Sequence, residues 1–151
     1  MKSIFFVLSL LITSIGFSQD IVKAMESILI NSVGNAHSEM KSLGLTLDYV
    51  QDRDDFIVFL YMNKGTDKYY SAGSIILTKD FSVMAFSITS ESRSLTDMTM
   101  KAINGNKNYS YSRIKDSGEI MFSNGVYEFG FNDESDSISD SYRVSISKIK
   151  K

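Results

Sequence analysis

Residues 119–131 read Glu-Ile-Met-Phe-Ser-Asn-Gly-Val-Tyr-Glu-Phe-Gly-Phe, two short runs rich in apolar residues around the dipeptide Asn124-Gly125. Alternation with a period of two marks a strand with one buried face, and Asn-Gly between two such runs is a strong signal of a β-hairpin. With Asn124 and Gly125 as the turn, Ile120 falls opposite Phe129 and Phe122 opposite Tyr127, all on one face. Antiparallel pairing is therefore the starting point for the fold.

The same period extends in both directions. After the hairpin, an acidic loop from Asn132 to Asp140 leads to a last strand, Tyr142 to Ile149, with Val144 and Ile146 on one face and Arg143 and Ser145 on the other. Before it, Asn108 to Ile114 forms a strand that turns at Lys115 to Gly118. Further upstream, Leu45, Leu47 and Tyr49 alternate with polar residues, and Phe56 to Met62 is apolar on both faces, as in a central strand. Tyr69 to Thr78 and Phe81 to Thr89 form a long pair, joined at Lys79-Asp80, which sets Ile76 opposite Val83 and Ile75 opposite Met84.

Two segments depart from this period. Ile21, Met25, Ile28, Leu29, Val33, Ala36, Met40 and Leu43 recur at steps of three and four, with Asp20 as N-cap and Gly44 at the C-terminus, which predicts a long amphipathic helix. Gly34 and Asn35 interrupt it and predict a kink or a division there. Ser94-Leu95-Thr96-Asp97 resembles a capping box, and Leu95, Met98 and Ala102 share a face, which predicts a short second helix over 94–104. The fold class is therefore α+β: a long N-terminal helix packed on a bent antiparallel sheet of seven to eight strands. The order helix, four strands, helix, four strands also fits two duplicated halves, but with no residue repeat and no linker one continuous sheet is the simpler expectation.

Composition narrows the chemistry. Of 151 residues none is Cys, Pro or Trp, and one is His. Disulfides, thiol nucleophiles and thiolate metal sites are excluded, as is any site that needs two histidines. Met1-Lys2, the apolar run Ile4 to Ile12 and the small residues of Gly16-Phe17-Ser18 read as a secretory signal over 1–18, followed by one α+β domain over 19–151. The apolar run is too short to span a bilayer, and no later stretch approaches that length. The expectation is an exported protein, periplasmic or secreted. Loss of Lys2 takes the formal net charge from −2 to −3, without the clustered Lys and Arg that nucleic acid requires.

Candidate sites follow from what remains. His37 is the one imidazole able to serve a Ser–His–acid arrangement, but its place near the end of an amphipathic helix predicts a boundary residue, and no Gly-x-Ser-x-Gly elbow occurs. Glu119 and Glu128 flank the hairpin, yet the expected register offsets them, and a solvated sheet face accounts for them. Asn132, Glu134, Asp136 and Asp140 offer the oxygen ligands that a cation such as calcium takes, but the stretch lacks the glycine and closing glutamate of a calcium loop, so they are weak candidates and no metal site is assigned. Seven methionines (Met25, Met40, Met62, Met84, Met98, Met100 and Met121) fit a filled core or a cavity for an apolar ligand.

Tyr109, Tyr111 and Arg113 alternate along one strand, and these residue types dominate recognition surfaces. They are the binding residues expected here. The reading is of a non-enzymatic exported protein that contacts a protein or envelope component through a sheet face or edge, with no cofactor. A periplasmic carrier of apolar small molecules is the alternative, and a hydrolase the third.

Overall fold

The computed structural model describes residues 18–65, 70–114, 118–133 and 141–149. Three helices, α1 (Ser18–Ile30), α2 (Val33–Ser42) and α3 (Ser94–Asn104), accompany eight strands: β1 (Thr46–Asp52), β2 (Phe56–Met62), β3 (Tyr70–Thr78), β4 (Val83–Ser90), β5 (Ser110–Ile114), β6 (Ile120–Ser123), β7 (Tyr127–Asp133) and β8 (Tyr142–Lys148). All pair antiparallel in one sheet, in the order β1-β2-β3-β4-β8-β7-β6-β5. Each half is a four-strand meander, and the two meet at β4 and β8, so the repeated element order is accommodated within a continuous sheet. The expected leader lies outside the described residues except for Ser18. Of the described helices none is long and apolar enough to cross a membrane.

The expected single long helix is two helices. Its division falls at Asn31-Ser32, ahead of Gly34-Asn35, because Ser32 adopts the extended N-cap conformation (φ −67°, ψ 155°) that starts α2. At the other end the glycine expected to stop the helix does so. Gly44 has φ +75°, its N–H bonds to Lys41 O and the Leu45 N–H to Met40 O, the paired bonds of a Schellman motif. That cap turns the chain directly into β1.

Helix α3 spans the expected residues but lacks the expected capping box. Arg93 occupies the N-cap position in a helical conformation, and Asp97, instead of reaching back to the backbone, accepts a 3.1 Å bond from Arg93 Nε.

Register explains the core. Directly opposed residues point to the same side, so the pairings trace one row across all eight strands: Val50, Phe59, Ile75, Phe86, Ile146, Phe129, Phe122 and Tyr111. Its central members, Ile75, Phe86, Ile146 and Phe129, are fully buried. They join Val22, Met25, Leu29, Ala36, Met40 and Ile103 of the helices in one cluster. Each of the larger of these side chains removed from water contributes roughly 1.5–3 kcal/mol.

Two turns shift the expected register. At the Asn-Gly hairpin the Asn124 N–H bonds to Tyr127 O, which leaves Gly125 (φ +82°) and Val126 as the central pair. Phe122 therefore opposes Phe129, and Ile120 opposes Phe131. The shift is of two positions, so every side chain keeps its face. Between β3 and β4 the loop is Lys79-Asp80-Phe81, one residue longer than expected. Leu77 opposes Val83, and Ile76 opposes Ala85.

Candidate functional site

A bulge in β5 decides where the expected binding residues stand. Tyr111 opposes Phe122 and Arg113 opposes Met121, so Ser112 is an extra residue that reverses the alternation between them. Tyr111 and Arg113 consequently lie on opposite sides of the sheet, not on one face as the spacing predicts. Tyr111, 58% exposed, ends the apolar row at the sheet edge, its ring edge-on to Phe122. Tyr109 precedes the strand and is buried at 8% exposure, with its ring against Phe129 and its hydroxyl donating a 2.6 Å bond to Glu26 Oε1 of α1. Burial, reinforced by the Glu26 carboxylate, raises the Tyr109 phenol well above its ordinary range. The Tyr–Tyr–Arg row is thus not a contiguous surface.

Among the described residues His37 meets neither a serine nor a carboxylate. Its Nδ1 shares a hydrogen bond with the Tyr61 hydroxyl, and the ring stands edge-on to Phe59 at 4.9 Å. Burial lowers the imidazole and pushes the Tyr61 phenol up to about 12, so the pair is held together as two neutral groups. These contacts fasten α2 to β2.

The side of the sheet opposite the core row has its own pattern. One row runs Tyr49, Leu60, Ser74, Ser87, Ser145, Gly130, Met121 and Arg113. A second runs Gln51, Val58, Ile76, Ala85, Ser147, Glu128 and Ser123. A third runs Thr46, Met62, Ala72, Thr89, Arg143 and Asn132. Large apolar side chains therefore stand on β1 and β2, and beside them Ala72, Ser74, Ala85, Ser87, Ser145 and Ser147 form a bed of small side chains on β3, β4 and β8, interrupted by Ile76 and Arg143. Tyr49, Leu60 and Met62 are exposed, and Val58, Ile76 and Ala85 are half-buried. Simple alternation groups Tyr49 with Leu47 and so conceals this apolar corner. A bulge at Asp48 sends Leu47 to the side of Tyr61 and Tyr49 to the side of Leu60.

The far flank of the same side is polar. Glu119 accepts a 3.0 Å bond from Ser145 Oγ, and its carboxylate lies over Gly130, where any Cβ would collide with it. Glu128 is buried and accepts a 3.1 Å bond from Arg113. The two acids are held by a hydroxyl and a guanidinium, an arrangement that keeps buried carboxylates satisfied.

Of the weak metal candidates, Asn132 is a buried residue of β7, not part of a loop. Glu134, Asp136 and Asp140 lie outside the described residues. Among the described residues no group of three His, Cys, Asp or Glu could hold a metal ion. The methionines are dispersed: Met25 and Met40 belong to the core, whereas Met121 and the exposed Met62 lie on the other side of the sheet. No family model matches the chain, and neither the curated proteins nor the solved structures contain a significant match to it.

Proposed function

We propose that this is a non-enzymatic, exported binding protein, a single α+β domain that contacts a protein or envelope component through the side of its sheet away from the helices. The observation that carries this reading is the apolar corner of Tyr49, Leu60 and Met62 beside a bed of small side chains. Such a surface gives a partner apolar area to bury. The two sheet edges are less suited to adding a strand. Each edge strand is interrupted by a bulge, at Asp48 and at Ser112, and carries charge at Asp48, Asp52 or Arg113.

Replacing Tyr49 with the photoreactive p-benzoylphenylalanine in the full chain, in the cells that make it, tests the reading. A partner adduct is expected at this position, and Leu60→Asp should reduce its yield about tenfold, as for loss of a central contact. An adduct that forms equally well in the Leu60→Asp chain would refute the surface.

A further inference from the structure

The loop joining β3 and β4 holds an aromatic residue in a conformation that aromatic residues avoid. Phe81 has φ +61°, in the left-handed region. The Thr78 N–H bonds to Ser82 O and the Phe81 N–H to Thr78 O, each at 3.0 Å, which closes a three-residue hairpin loop whose last position is left-handed. Glycine or asparagine ordinarily fills that position, because a Cβ there crowds the backbone carbonyl, a cost that glycine avoids and that asparagine offsets by hydrogen-bonding locally. The Phe81 ring is 63% exposed and so regains little of this cost by packing. The loop is nonetheless well fixed. Asp80 accepts bonds from the Thr78 hydroxyl and the Ser82 N–H, and Lys79 pairs with Asp52 of β1.

Two other large apolar side chains share this end of the sheet. Val126, at the tip of the β6–β7 hairpin, and Ile149 are both exposed, and the Ile149 N–H bonds to Val126 O. Ile149 follows the end of β8, whose Ser147 pairs with Ala85 of β4, the strand that leads away from Phe81. On the β1 side the same end carries the exposed acids Asp54 and Asp55 along with Asp80, against Arg53. Hydrogen bonds from Thr78 and Ser82 hold the Asp80 carboxyl below the usual carboxylate range, so it stays charged.

We propose that the end of the sheet bearing Phe81, Val126 and Ile149 is a docking surface for a folded protein, which takes the Phe81 ring into an apolar pocket and sets basic side chains against Asp54, Asp55 and Asp80. A strained backbone presenting an exposed ring is costly to the isolated chain and gains its return on docking. Aromatic anchors with charged surroundings are the usual centre of such contacts. The neighbouring acids disfavour a lipid surface, because inserting Phe81 would carry the ionised Asp80 to the headgroups. This surface is separate from the sheet side proposed above, and the two are tested by different substitutions.

The experiment places p-benzoylphenylalanine at position 81 of the full chain in the cells that make it, identifies the adduct, and measures binding of the purified partner to the wild-type, Phe81→Asn and Asp54→Asn/Asp55→Asn chains. The expected result is a partner whose affinity falls at least tenfold with Phe81→Asn and, in the wild type, weakens with added salt and with the aspartate changes. Phe81→Asn should itself unfold at a higher denaturant concentration than wild type, because asparagine tolerates the left-handed backbone. The proposal is overturned if no adduct forms at position 81, if the adduct is a second copy of this chain, if the partner binds Phe81→Asn unchanged, or if that variant is less stable than wild type. Cosedimentation with phosphatidylcholine–phosphatidylglycerol vesicles should show no binding, and binding that depends on Phe81 would replace the protein partner with a lipid surface.

Discussion

The Met40 side chain of α2 lies on the bare backbone of Gly73 in β3: a Cβ built at Gly73 would stand 2.7 Å from Met40 Sδ and 3.1 Å from Leu45 Cδ1. Glycine here is a matter of close approach, not of backbone freedom. It lets the helix end, fixed by the Gly44 cap, settle onto the sheet.

Gly73→Ala should therefore destabilise the protein, although alanine is the better strand residue. Met40 is fully buried, so its thioether can yield only by displacing its neighbours. Overpacking of this kind costs about 1–3 kcal/mol, and the lower half of that range is expected because the clash is with a flexible side chain. Urea denaturation measures it. An unchanged or higher midpoint would mean that the helix end can shift without cost.

Two ion pairs of equal length should differ in worth. Arg113 to Glu128 and Arg93 to Asp97 both measure 3.1 Å, but the Glu128 side chain is 11% exposed whereas Asp97 is 60% exposed. Removing Arg113 strands a carboxylate that water cannot fully reach, whereas removing Arg93 leaves the Asp97 carboxylate open to water. Arg113→Ala should cost about 1–3 kcal/mol and Arg93→Ala about 0.5 kcal/mol or less. Equal costs in denaturant titrations would show that Glu128 is solvated after the loss of its partner.

Most of the framework was legible in the sequence because strand and helix periods differ and the chain keeps them cleanly apart. All eight strands and the helix at 94–104 stand within a few residues of where the hydrophobic pattern placed them, with β1 and β7 each running two residues into an expected turn or loop. The Asn-Gly hairpin tolerated a misplaced turn because a two-residue shift preserves faces. The candidate site did not share that tolerance. A single extra residue, Ser112, separates Tyr111 from Arg113, and another, Asp48, separates Leu47 from Tyr49. A bulge carries no dedicated residue type, so alternation runs through it unmarked. Phe81 was hidden for a related reason: turn chemistry anticipates glycine or asparagine at a left-handed position, and nothing in Lys-Asp-Phe announces one.

At alkaline pH the two buried phenols should weaken the fold. Burial raises the Tyr61 phenol to about 12, and burial with the Glu26 contact raises Tyr109 further. Both folded values exceed the unfolded value near 10. Their contribution is fully present below pH 10 and is lost as the pH rises from 10 towards 12, because the unfolded chain then releases protons that the folded chain retains. Tyr61→Phe should flatten the decline between pH 10 and 12 in denaturation measurements. The same steepness in that variant would assign the decline to other groups.

Glu39 should show the same linkage at neutral pH. It is a buried acid of α2, and burial raises its carboxyl above the ordinary value of 4.5 despite the opposing Ser42 hydrogen bond. A raised folded value means that stability is complete below pH 4.5 and is lost as the pH climbs through the folded value, where the unfolded chain ionises more readily. Glutamine keeps the shape and cannot ionise, so Glu39→Gln should raise the urea midpoint at pH 7 and have little effect at pH 4. The lowered imidazole of His37 works in the opposite direction, costing stability as the pH falls below 6.5. Wild type and variant share that loss, so their difference isolates Glu39. A gain of the same size at both pH values would mean that Glu39→Gln acts through packing, and that the carboxylate is not penalised by burial.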